Sequence, residues 1–151
     1  MRIKEIEKLF QDEGNLDLVL EEVKGEMDKV NEWSGLMKDN QTNNPEMAKQ
    51  CLSELTGAFM RLNIALSVAM TEKKNREVRA YNRIKQETEN AGGKFVSASA
   101  EKQASAEVGD YRRIRNYIQG YTESCRSAMS SIQSILKQIQ EEMKLSGKEE
   151  R

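Results

Sequence analysis

The sequence contains no histidine at all. Histidine is the commonest general base near neutral pH and a principal metal ligand, so histidine-based triads and His/Cys zinc sites are excluded. Proline occurs once, at Pro45, and aromatic residues make up only 5% of the chain. The two cysteines, Cys51 and Cys125, are too few for a disulfide framework. Both fall on apolar stripes of predicted helices, where a reduced thiol packs as a small hydrophobe. No run approaches the roughly eighteen apolar residues of a membrane span, and no basic, apolar, small-residue leader opens the chain. The expected compartment is therefore the cytoplasm, that of the host if the chain is of phage origin. Gly92-Gly93-Lys94 lacks the first glycine and the Ser/Thr of a phosphate loop, and no strand pattern leads into it, so it reads as a helix-ending turn. With no convergent carboxylates for hydrolysis either, the expectation is a protein without catalytic residues, metal or cofactor.

What is present suits long helices. Of 151 residues, 37% are apolar and 32% charged, a smaller apolar share and a larger charged share than a globular domain usually has. Abundant Lys, Glu, Gln, Met, Ser and Ala point to helices with narrow apolar stripes that need partners to cover them. Residues 1–13 read as a short amphipathic helix carrying Ile3, Ile6, Leu9 and Phe10, closed by Gly14. Asn15 then caps a second helix with Leu16, Leu20, Val23, Met27, Val30 and Met37 on one face, weakened by Gly25 and Gly35. The polar cluster at 39–44 ends this N-terminal unit. Asn44-Pro45-Glu46 supplies a cap, a pre-set first helical residue and a favourable charge, so a long helix is predicted from 46 to about 89, stopped by Asn90-Ala91-Gly92-Gly93. Ser97 to Ala106 reads as a connector or a weak helix.

The last segment, 107–145, carries a coiled-coil seam: Val108, Tyr111, Arg115, Ile118, Thr122, Cys125, Met129, Ile132, Leu136, Ile139 and Met143 alternate spacings of three and four. A second row at Ile114, Tyr121, Ala128 and Ile135 widens the apolar face beyond what a two-stranded seam requires. The expected fold class is all-α, a long antiparallel coiled-coil-like hairpin with short N-terminal helices, assembling into a homo-oligomer. Its divisions are an acidic segment 1–44, a hairpin and oligomerisation domain 45–145, and a charged tail 146–151. Ile118, Cys125, Met129, Ile132, Leu136 and Ile139 are the candidate oligomerisation residues.

Charge is distributed unevenly. Lys73, Lys74, Arg76, Arg79, Arg83 and Lys85 stand against Glu77 alone, six minus one giving plus five, while residues 1–39 hold eleven acids and six bases, giving minus five. The basic tract covers more than one helical face, and Tyr81 sits within it. Cations track phosphates and aromatic rings stack on bases, so this composition suits single-stranded nucleic acid. Arg112, Arg113 and Arg115, between Tyr111 and Tyr117, form a second basic and aromatic cluster. In a hairpin turning at 90–106 the two clusters would lie at comparable heights. The same arginines suit a structural role equally well, paired to Glu77, Glu87 or Asp110, with Arg115 setting helix register.

An apolar helix from Leu55 to Met70 thus feeds the basic tract Lys74-Asn75-Arg76 with Arg79 and Tyr81. A small-residue connector follows, and then a long helix in which Cys125-Arg126-Ser127-Ala128-Met129 leads into Ile132, Ile135 and Leu136. Over residues 55–145 this arrangement resembles the recombination mediator family of tailed phages, the UvsY-like proteins. The resemblance implies an oligomeric ring that binds single-stranded DNA, contacts the single-strand-binding protein and helps load a recombinase filament, without catalysis. By the family's Lys-x-Arg pattern, Lys74 and Arg76 would contact DNA. The family's paired tyrosines are not matched, since only Tyr81 follows, at a shifted spacing. The competing expectation is a helical scaffold or assembly chaperone, of phage or bacterial origin, whose basic segment meets an acidic protein.

Overall fold

The computed structural model describes residues 3–149. Among these the chain forms six α-helices, one 3-10 turn and no strand: α1 Ile3–Phe10, the turn Glu13–Asn15, α2 Leu16–Glu22, α3 Lys24–Lys38, α4 Pro45–Asn90, α5 Ser97–Glu107 and α6 Gly109–Glu149. The all-helical class is what the composition leads one to expect. No helix among the described residues is long and apolar enough to cross a membrane. Residues 1–2 of the first expected helix and 150–151 of the expected tail lie outside the described residues.

The limits of α4 follow from local chemistry. Asn44 Oδ1 accepts from the backbone N–H groups of Glu46 and Met47 at 2.9 and 3.4 Å, and Pro45 occupies the first helical position, where a missing N–H costs nothing. At the other end Gly92 adopts φ 74°, Gly93 N–H bonds back to the Thr88 carbonyl at 3.0 Å and Gly92 N–H to Glu89 at 3.1 Å. This is a Schellman closure, and the left-handed residue it needs is a glycine because residues with a side chain rarely adopt that positive φ.

Three boundaries differ from the sequence pattern, the first at α1, which ends at Phe10 rather than at 13 and leaves Gly14 inside the 3-10 turn, where its N–H bonds the Asp12 carboxylate at 2.9 Å. The single helix expected over 15–38 is two, broken at Val23 with φ −104° and ψ 7°. Val23 is fully buried, and the weak helix former Gly25 two residues later leaves little local resistance to a break that seats this side chain. Of the two readings for the stretch from Ser97, connector or weak helix, the helix is the one formed, with Ala100 and Ala104 as its buried residues. Finally, α6 runs through Ser146 and Gly147, where the pattern places a stop. A lone helical glycine costs about 1 kcal/mol against alanine, and good helix formers on both sides offset that.

The chain divides into two compact units, one from Met1–Glu22 and Ile64–Ile118, the other from Val23–Asn63 and Gln119–Arg151. In the first, Ile6, Phe10, Leu16 and Val19 are buried together with Ala65, Val68, Ala69 and Ala80 of α4, Ala100 and Ala104 of α5, and Val108, Tyr111, Ile114 and Ile118. Each large side chain among them contributes about 1.5–3 kcal/mol. The Phe10 and Tyr111 rings stack at 6.4 Å. Ile114 belongs to the second apolar row of α6, and its full burial shows why the face is wide.

In the second unit, Val30 and Trp33 of α3 are buried with Cys51, Leu55 and Leu62 of α4 and Cys125 and Ile132 of α6. Trp33 Nε1–H donates to Glu54 Oε2, and Lys29 stands 3.4 Å from the same oxygen. Both cysteines are free and buried, and Cys125 Sγ–H donates to the Leu55 carbonyl at 3.1 Å. Burial pushes the Cys51 thiol up to about 11, with Glu54 and Cys125 adding to it, and raises Cys125 too.

Candidate nucleic-acid interface

The basic tract occupies α4 within the first unit, and its residues separate according to what each side chain touches. Met70, Lys73, Lys74, Glu77, Val78 and Tyr81 follow one another at helical spacing and line one wall of a groove of about 590 Å³. Glu101 and Ala104 of α5 and Arg115 of α6 complete it. Four of the ten residues expected to meet nucleic acid, Lys73, Lys74, Tyr81 and Arg115, are thus brought together. Three cations against two carboxylates leave the groove at plus one.

Each groove residue has a distinct status. Lys73 Nζ bonds Glu77 at 2.9 Å, neutralising both locally. Lys74 is exposed. Arg115 is half-buried, and its Nε is fully buried without a hydrogen-bond partner among the described residues. Tyr81 is positioned by the start of α5 and the residues just before it: its ring forms an edge-to-face pair with Phe95 at 5.8 Å, and its hydroxyl lies 3.3 Å from Ser97 Oγ. An edge-to-face pair covers at most one face of either ring, so at least one face of Tyr81 is left by this contact for stacking. Lys85 Nζ stands 5.5 Å from the centroid of the Phe95 ring, which holds its charge beside this cluster.

The other expected cations are placed differently. Arg76 Nη2 donates to the backbone carbonyls of Gln11 and Phe10 at 2.6 and 3.3 Å, and its guanidinium lies 4.9 Å from the centroid of the Tyr111 ring. A positive fork thus sits at the C-terminal end of α1, where unpaired carbonyls and the helix dipole favour it. The Tyr111 hydroxyl donates to the same Phe10 carbonyl at 3.4 Å. Burial raises the Tyr111 phenol above its ordinary range, against the opposing effect of Arg76. Arg83 pairs with Glu107, Arg112 donates to the carbonyl and hydroxyl of Ser105, and Arg113 pairs with Asp17 at 3.2 Å and lies 4.0 Å from Asp110. Arg79 is exposed. Arg112 and Arg113 line a separate depression of about 460 Å³ with Gly109, Asn116 and Tyr117.

Of the six candidate oligomerisation residues, Ile118, Cys125 and Ile132 are fully buried within their own units, whereas Met129, Leu136 and Ile139 are half-buried. Further along the same helix Met143 and Leu145 are 64% and 61% exposed.

Sequence reasoning did not reach Glu101, Ala104, Met70 and Val78 as groove residues. The row from Met70 to Tyr81 at three- and four-residue spacing is a signal that could have found the α4 wall. Nothing in the Ser/Ala-rich stretch marks Glu101 as its counterpart. Compared with known protein families, with curated proteins and with solved structures, the chain matches none.

Proposed function

We propose that this protein is a non-enzymatic recombination mediator that holds single-stranded DNA in the α4–α5 groove and helps load a recombinase onto strands covered by single-strand-binding protein. The observation that carries the strand-binding part is the convergence of Lys73, Lys74 and Arg115 on a groove that also presents Tyr81. Cations beside an aromatic ring accommodate a phosphate and a neighbouring base together, as single strands require. The mediator role, with its recombinase and single-strand-binding partners, comes from the family resemblance over 55–145.

The reading includes an antiparallel hairpin of α4 and α6. It is supported by a contact between the two helices within each unit, Arg76 lying against Tyr111 in one and Leu55 accepting from Cys125 in the other. It also includes a homo-oligomer, a ring by the family's pattern, formed through Met129, Leu136, Ile139, Met143 and Leu145. Light scattering should then give a mass several times 17.3 kDa.

The test is a gel shift with single-stranded oligonucleotides at two salt concentrations. Affinity should fall with salt by a log–log slope of roughly 0.7 per phosphate contacted. Lys74→Glu with Arg79→Glu should abolish binding at unchanged helicity, because both side chains are exposed. Wild-type protein that ignores single strands at low salt would favour the scaffold reading, for which Arg76, Arg83, Arg112 and Arg113 already speak by bonding within the protein.

A further inference from the structure

The groove contains a group that a site for phosphates alone would not be expected to hold. Glu101 lines it from α5, is exposed, and forms no ion pair among the described residues, unlike Glu77, which is bonded to Lys73. A free carboxylate beside a polyanion weakens binding unless the ligand offers it a donor, because an ionised carboxylate only accepts hydrogen bonds. Phosphates offer none, whereas base edges do.

The position of Glu101 relative to Tyr81 fits such a role. Tyr81 is tied through its hydroxyl to Ser97, and Ser97 and Glu101 are four residues apart on one face of α5. That separation is about 6 Å along the helix axis, comparable to the breadth of one base. Arg115, with its buried and unpartnered Nε, and Lys74 supply the cations of the same groove. Two fixed positive charges at this end of the groove favour an anion there.

We infer that the groove discriminates among bases: with a base on Tyr81 and a phosphate at Arg115 and Lys74, Glu101 accepts from an exocyclic amino group and so favours cytosine over thymine. This rests on the strand-binding reading above. Cytosine presents an amino donor at C4, where thymine and uracil present a carbonyl that a carboxylate repels. Glu101 is therefore a specificity-determining residue whose negative charge lowers affinity for every strand and lowers it least for amino-bearing bases.

The experiment measures dissociation constants of the full chain for oligo(dC), oligo(dT) and oligo(dU) of one length, at low salt and slightly alkaline pH, where cytosine stays unprotonated. The wild type should bind dC about fivefold more tightly than dT or dU. Oligo(dU) separates the C4 group from the thymine methyl. Glu101→Gln, whose amide both donates and accepts, should bring the ratio close to one and tighten all three complexes. Equal wild-type affinities would overturn the inference, as would dU behaving like dC, or a preference that survives in Glu101→Gln. Failure of the wild type to bind any of the strands would instead overturn the strand-binding reading, and base selection with it.

Discussion

Replacing Arg76 by methionine removes the guanidinium while keeping an apolar stem over Tyr111, and it separates a structural arginine from a phosphate contact. The 2.6 Å bond to the Gln11 carbonyl is a short charge-assisted hydrogen bond, worth about 1.5–3 kcal/mol. The 3.3 Å bond to Phe10 is weaker, and the stacking on Tyr111 adds roughly 0.5–1 kcal/mol. Against this, Arg76 Nε is buried without a partner, a cost of about 1 kcal/mol or more that the substitution relieves. The expected net loss is about 2–3 kcal/mol, roughly 4–12 °C in Tm for a chain of this size. Thermal unfolding followed by circular dichroism measures it. Amide exchange should show residues 3–12 losing protection first, since α1 is held at its C-terminal end by this side chain. Arg76→Lys should be nearly as destabilising, because an ammonium cannot reproduce the fork and the stacked plane. A lysine variant with wild-type Tm but altered salt dependence of DNA binding would refute the clamp and return Arg76 to the phosphate contacts.

Two further predictions concern the second unit. The Trp33 Nε1–H bond is the main cause holding the Glu54 carboxyl below its ordinary range, with Gln50 and Lys29 assisting against partial desolvation. A group depressed in the folded state contributes stability above its unfolded pKa, about 4.3, and loses it as pH falls through the folded value. Trp33→Phe should therefore lower the denaturation midpoint at neutral pH and flatten its fall on acidification, and a variant with the wild-type pH profile would refute the bond's role. Cys51 and Cys125 should resist alkylation at neutral pH in the native protein and react fully in denaturant, as buried thiols with raised pKa do. Rapid native labelling, read by mass spectrometry, would contradict their burial.

Much of the fold is legible locally. The Asn44-Pro45-Glu46 start and the Gly92-Gly93 stop of α4 are chemical statements complete within a few residues, and both boundaries fall where those residues place them. The apolar face of α6, including Ile114 beside the seam, is legible because burial on a helix repeats with the helix period. The break at Val23 was not, because it depends on where one buried valine must sit, and no cap or proline announces it.

The candidate site divides along the same line. Sequence alone determined that residues 73–85 are basic, that Tyr81 lies among them, and that the fold class is all-α, since composition, charge and period are properties of the chain taken in order. It could not sort the cations. Whether an arginine is free depends on what lies opposite, and the opposing atoms are distant in sequence: the carbonyls of Phe10 and Gln11 for Arg76, and Glu107 for Arg83. Likewise only the tertiary structure set Glu101 and Arg115 beside Lys74 and Tyr81, because a groove between helices exists only once they have packed.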